Sequence, residues 1–87
     1  MAFSPAYKRK IKDAFNEAAA NHPTPDKPFV IFNGVPQTPN SVARDVENEN
    51  RDGRAILEIL EFFTRGKELE KPDLIKFARS MMGVRRP

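Results

Sequence analysis

The residues able to do chemistry in this 87-residue chain are few and scattered. There is no Cys, and the one His, His22, lies in a proline-rich stretch away from any Ser or Asp motif. Nucleophilic catalysis needs a nucleophile, a base and a group that orients the base. Zinc and iron sites need several His or Cys ligands. The four glycines are isolated, so they form no phosphate-binding loop. The sequence therefore predicts a non-enzymatic protein with no catalytic, metal or cofactor-binding residues.

One short segment imitates the opening of a calcium-binding loop. Residues 48–53 read Asn-x-Asn-x-Asp-Gly. An EF-hand loop begins with Asp and places a bidentate Glu at its twelfth position. The twelfth residue is Ile59 here, and a register that starts at Asp45 places Ile56 there. The segment therefore predicts a break between two helices, with an Asn or Asp side chain as the cap of the second.

Basic side chains cluster at both ends of the sequence, whereas the middle is acidic. The formal net charge is +3. This asymmetry supports two interpretations: the basic ends bind an anionic partner, or they pack against the acidic middle. Binding of nucleic acid through phosphates alone would be weak, salt-sensitive and non-specific. The candidate phosphate contacts are Lys8, Arg9, Lys12, Arg79, Arg85 and Arg86.

Helix-start signals and apolar periodicity divide the chain into four helices. Ser4 precedes Pro5, and Thr38 precedes Pro39, which places a capping side chain before a proline in the first helical turn. We expect one small helical domain over residues 1–87. Its predicted segments are helix 1 over 4–21, a proline-rich connector with an extended segment over 22–37, helix 2 over 38–48, helix 3 over 52–65, helix 4 over 71–83 and a tail over 84–87.

Residues 29–36 predict the one extended element. The run over residues 29–32 is apolar and typical of a strand, and Asn33 with Gly34 forms a tight-turn pair. Pro36 restricts any returning strand to the edge of a sheet. We expect an extended segment or a minimal hairpin, which must pack on the helices or find a partner strand.

Helix 3 is predicted to be the central helix, because its apolar residues cover roughly 220° of its circumference. The predicted core residues are Phe15, Leu60, Phe63 and Phe77. Two interpretations follow: the domain buries the whole arc, or it is too small to cover so broad an apolar surface and leaves a patch for another protein or for a copy of the chain. The candidate partner contacts are Phe62, Met81 and Met82, since Met is common at adaptable surfaces.

These observations predict a mostly α bundle of about four helices that acts in the cytoplasm as an adaptor or regulatory subunit, through protein–protein contact. The alternative is a basic accessory protein that binds nucleic acid weakly through phosphate contacts. No membrane partner is expected. No apolar run reaches the ~18 residues of a membrane span, and the first residues lack the apolar region of a signal peptide.

Overall fold

The computed structural model describes residues 3–32 and 34–83. Within these residues the chain forms four helices and one antiparallel hairpin, which confirms the predicted fold class. The elements in chain order are α1 (Pro5–Ala20), β1 (Val30–Phe32), β2 (Val35–Gln37), α2 (Pro39–Asn48), α3 (Arg51–Thr64) and α4 (Lys71–Met81). In this part of the chain no helix is long and apolar enough to cross a membrane. The tail over residues 84–87 lies outside the described residues.

Three of the helices begin at capping side chains. The Ser4 hydroxyl accepts a hydrogen bond from the backbone N–H three residues later, at 3.2 Å. Thr38 and Ser41 form a reciprocal capping box at the start of α2. The Asn50 side chain caps α3 by accepting a backbone hydrogen bond at 2.9 Å. Each cap satisfies an N–H that has no partner within the first helical turn.

The most deeply buried helix is α1, not α3. One stripe of α1 is buried because the helix packs against both α2 and α4, whereas α3 packs mainly against α2. The stripe comprises Tyr7, Ile11, Ala14, Phe15, Ala18 and Ala19. Its small alanines let two helices approach closely. The prediction that α3 is the central helix is therefore wrong.

The predicted core is only partly confirmed. Phe15 and Leu60 are fully buried, and Phe77 is half-buried with its ring edge-on to Phe15. Phe63 is mostly exposed, so its assignment to the core is wrong. The apolar arc of α3 is wider than the surface that its neighbours cover, and Phe63 lies on the uncovered part.

The junction between α2 and α3 is tight because Gly53 lies against the backbone of α2. A Cβ atom added at Gly53 would overlap with the carbonyl oxygen of Asp45. The chain reverses at Glu49, which adopts a left-handed conformation with φ 48°. The sequence predicts a helix break over residues 48–53, but it gives no sign of this close approach.

The hairpin pairs Val30 with Gln37 and Ile31 with Pro36. Because successive side chains of a strand point to opposite faces, Val30 and Gln37 share one face and Ile31 lies on the other. Gln37 is buried, while Ile31 is 70% exposed. The first face therefore faces the helices. Gly34 has φ +78° in the turn, and Asn33 lies outside the described residues.

Tyr7 connects α1 to the segment before α4. Its phenolic oxygen accepts a hydrogen bond from the backbone N–H of Leu69 at 2.8 Å. Burial raises the pKa of Tyr7, and the hydrogen bond from Leu69 opposes this shift in part. The contact ties together two segments that are 62 residues apart in the sequence.

Candidate functional site

Three basic side chains of α1 face two acidic side chains at the C-terminal end of α2. The Arg9 guanidinium donates two hydrogen bonds to the Glu47 carboxylate, at 2.6 and 3.0 Å. The ammonium groups of Lys8 and Lys12 lie 3.1 and 2.9 Å from the two oxygens of Glu49. We call these five residues the charged seam. It joins two helices that are about forty positions apart in the sequence.

The charges of the seam stabilise one another. The hydrogen bond from Arg9 holds the pKa of Glu47 below its usual value. Hydrogen bonds from Lys12 and Lys8 do the same for the pKa of Glu49. For the N-terminal basic cluster, the structure thus shows packing against the acidic middle of the chain. These three cations, which the sequence predicts as candidate phosphate contacts, are therefore already paired with carboxylates of the same chain.

Among the described residues, the remaining candidate phosphate contact, Arg79, does not join the seam. Arg79 is exposed on α4, where it lines a cavity of about 150 Å³ together with His22. Arg85 and Arg86 lie outside the described residues.

His22 is held by its own loop. Its Nδ1 accepts a hydrogen bond from the backbone N–H of Thr24 at 2.9 Å, so its hydrogen lies on Nε2. The Nε2 atom is enclosed and makes no hydrogen bond among the described residues. Across residues 3–32 and 34–83, no group of three or more His, Asp or Glu side chains is placed to hold a metal ion.

The apolar surface of α3 divides into a covered and an open face. Leu57 and Leu60 are fully buried against the rest of the domain. Ile59, Phe62 and Phe63 are 46%, 87% and 77% exposed. Successive helical residues are about 100° apart, so these three side chains form one continuous face beside the covered one. The predicted exposure of Phe62 is confirmed.

The two methionines of the predicted patch lie in different surroundings. Met81 is half-buried, at the end of α4. Met82 is fully buried within the core, so the prediction that it lies at the surface is wrong. The next residue, Gly83, lies so close to Phe29 that an added Cβ atom would overlap with the Phe29 ring.

An apolar groove runs beside the open face of α3. Its volume is about 130 Å³, and its walls come from β1, β2, α2, α3 and the end of α4. The apolar side chains that line it include Phe29, Val30, Val42, Ile56, Ile59 and Met81. Ile59 belongs to both the groove and the open face of α3. The groove and the exposed phenylalanines therefore form one surface.

Three polar side chains also line the groove: Gln37, Asp45 and Asp52. One oxygen of Asp45 accepts a hydrogen bond from the Asn50 side chain at 2.8 Å. In the described part of the chain neither aspartate forms an ion pair, and no Lys or Arg lines the groove. The groove is thus apolar with an acidic margin.

No family model, no curated protein and no solved structure matches this chain. Its function must therefore be inferred from the chemistry of its surfaces.

Sequence reasoning misses the contribution of the hairpin to this surface. Val30 lines the groove, and both Val30 and Val35 are about half exposed. A signal is present in the sequence, because residues 29–32 are apolar without alternation. A strand of this kind has apolar side chains on both faces, and a lone hairpin in a small domain covers at most one of them.

Proposed function

We propose that this protein is a non-enzymatic interaction module, an adaptor or regulatory subunit, that binds another protein through the open face of α3 and the adjoining groove. The observation that carries the proposal is the exposure of Phe62 and Phe63 next to Ile59. Scattered apolar side chains are ordinary on protein surfaces, but a continuous apolar face typically marks an interaction site.

The composition of this surface suits protein binding. Aromatic side chains contribute most of the binding energy in many interfaces, because they bury large areas with few rotatable bonds. Phe62 and Phe63 supply two such side chains. The groove beside them offers a preformed recess for a partner's apolar side chain. A projection next to a recess provides shape complementarity that a flat patch lacks.

Weak nucleic-acid binding, the alternative function, loses most of its support. Lys8, Arg9 and Lys12 are engaged by carboxylates, and breaking these contacts would oppose phosphate binding. Among the described candidate contacts, Arg79 alone forms no ion pair. A titration with random-sequence DNA and RNA should give dissociation constants no lower than ~10⁻⁶ M at physiological salt. Nanomolar binding would overturn the proposal of a protein partner.

The proposal is tested with the double variant Phe62→Ser/Phe63→Ser. Its matched control is Arg54→Ser/Glu58→Ser, which changes two exposed side chains on the polar face of the same helix. Proteins that co-purify with the wild-type chain from its native cell are identified, and the amount of each is compared with the amount that co-purifies with each variant. A candidate is then purified, and its affinity is measured by calorimetry.

We expect a direct partner that binds the phenylalanine variant at least thirtyfold more weakly than the wild type, because two central aromatic contacts are lost. Its affinity for the control variant should stay within twofold of the wild-type value. Equal affinity for the wild type and the phenylalanine variant would show that the open face is not the binding site.

A further inference from the structure

The acidic margin of the groove restricts what the groove can bind. Asp45 and Asp52 are half-buried, and each lines a recess whose other side chains are apolar except for Gln37. A partner that fills the recess removes water from both carboxylates. Desolvating a charge is costly unless the occupant supplies an opposite charge or hydrogen bonds. A purely apolar occupant would therefore bind poorly.

From this charge complementarity we infer that the groove binds a segment of another protein that carries apolar side chains together with Lys or Arg. The apolar side chains fill the recess between the hairpin and α3, and the cations pair with Asp45 and Asp52. This inference rests on the proposed function, since it specifies the partner of the same surface.

Other occupants suit the groove less well. In a symmetric dimer the same patch lies on both sides of the contact, so two copies of Asp45 and of Asp52 would enter it while the groove contributes no Lys or Arg to pair with them. Acidic peptides, nucleic acids and anionic lipid surfaces are repelled by the same two carboxylates. The acidic margin therefore selects for a cationic partner, while the apolar lining selects for an amphipathic one.

The experiment is a selection from a displayed library of random 16-residue peptides. The library is selected in parallel against the wild-type chain, against Asp45→Asn/Asp52→Asn and against Phe62→Ser/Phe63→Ser. The matched control, Glu58→Gln/Asp73→Asn, removes two exposed carboxylates outside the groove, and Asp73 lies in the first turn of α4 as Asp52 does in α3. Thermal melts establish that every variant is folded before selection.

The wild type and the control should enrich peptides in which Lys or Arg flanks apolar residues. Synthetic peptides of this kind should bind the Asp45→Asn/Asp52→Asn variant about tenfold more weakly, since two partly buried ion pairs of moderate strength are lost. They should show no measurable binding to Phe62→Ser/Phe63→Ser. The tenfold difference should shrink in high salt, because salt screens the ion pairs and leaves the apolar contact unchanged.

Two negative outcomes are distinguishable. Enriched peptides that lack cations, or that bind the Asp→Asn variant with unchanged affinity, would overturn the cationic partner and leave the proposed function intact. A selection that enriches no peptide dependent on Phe62 and Phe63 would overturn both. Concentration-dependent dimerisation or binding to anionic vesicles, if abolished by Phe62→Ser/Phe63→Ser, would likewise contradict the inference, because the surface would then have a different occupant.

Discussion

The charged seam and the apolar groove lie on different sides of α2 and have opposite properties. In the seam, each carboxylate of Glu47 and Glu49 has a cation within 3.1 Å. In the groove, Asp45 and Asp52 have no cation partner among the described residues, and two of the apolar side chains beside them, Val30 and Ile59, are about half exposed. The seam satisfies its own groups within the chain. The groove has two carboxylates that no cation of the described chain pairs with.

This difference separates the part of the molecule that stabilises the fold from the part that is available for binding. The seam and the buried stripe of α1 hold α1 against α2 and α4. The open face of α3 adds apolar area without burying it, so it contributes little to the stability of the isolated chain. Substitutions in the seam or the buried stripe should therefore lower stability, whereas substitutions on the open face of α3 should lower binding and leave stability nearly unchanged.

The largest expected effect is a difference in stability between substitutions at two neighbouring residues of α3. Leu60→Ala should lower the free energy of unfolding by ~2–5 kcal/mol, because Leu60 is fully buried and the substitution leaves a cavity. Ile59→Ala should lower it by under ~1 kcal/mol, because Ile59 is nearly half exposed on the groove side. Urea denaturation measures both. Equal losses would show that the two faces of α3 are not distinct.

A smaller effect is expected where α3 meets α2. Gly53→Ala should cost ~1–3 kcal/mol, since the added methyl overlaps with backbone atoms of Asp45 and forces the helices apart. The neighbouring substitution Arg54→Ala, at an exposed position, serves as the control. Because both Asp45 and Asp52 line the groove, Gly53→Ala should also weaken groove ligands. A stabilised Gly53→Ala protein would contradict the close contact.

Glu47→Gln/Glu49→Gln should give a small effect that depends on pH. The pKa of each carboxyl is lowered in the folded chain from its usual value near 4.5. The charged forms therefore stabilise the fold above about pH 4.5, and this contribution is lost as the pH falls through the lowered pKa values.

At pH 7 this variant should melt a few degrees below the wild type, and the difference should vanish in acid and decrease in high salt. Melting curves across pH measure it, with Glu58→Gln on the exposed face of α3 as the control. A difference that persists at low pH would show that the seam does not act through its charges.

The sequence predicts those features that depend on local chemistry. The caps at Ser4 and Thr38 follow from residue type and position. Residues 29–36 predict either an extended segment or a minimal hairpin, and the structure has the hairpin. The width of the apolar arc on α3 also follows from the sequence, but whether the domain buries all of it does not; the structure leaves Phe62 and Phe63 uncovered.

Features that depend on tertiary packing could not be predicted in the same way. Periodicity alone does not show which part of the α3 arc the neighbouring elements cover, so it predicts Phe63 in the core. It does not show whether the end of α4 is covered either, so it predicts Met82 at the surface. The seam pairs residues about forty positions apart, and the groove combines five separate elements. Gly53 has its role because of a backbone atom on another helix. None of these relationships is encoded in local spacing.

The proposed binding surface requires Phe62 and Phe63 to be open to solvent in the isolated chain. The decisive measurement is the free energy of unfolding of Phe62→Ser/Phe63→Ser relative to the wild type, by urea denaturation at two protein concentrations. Because both rings are exposed, we expect a change within ~0.5 kcal/mol that does not depend on concentration. A loss of more than ~2 kcal/mol would show that the rings are buried in solution, within the chain or against a second copy, and would contradict a free binding surface.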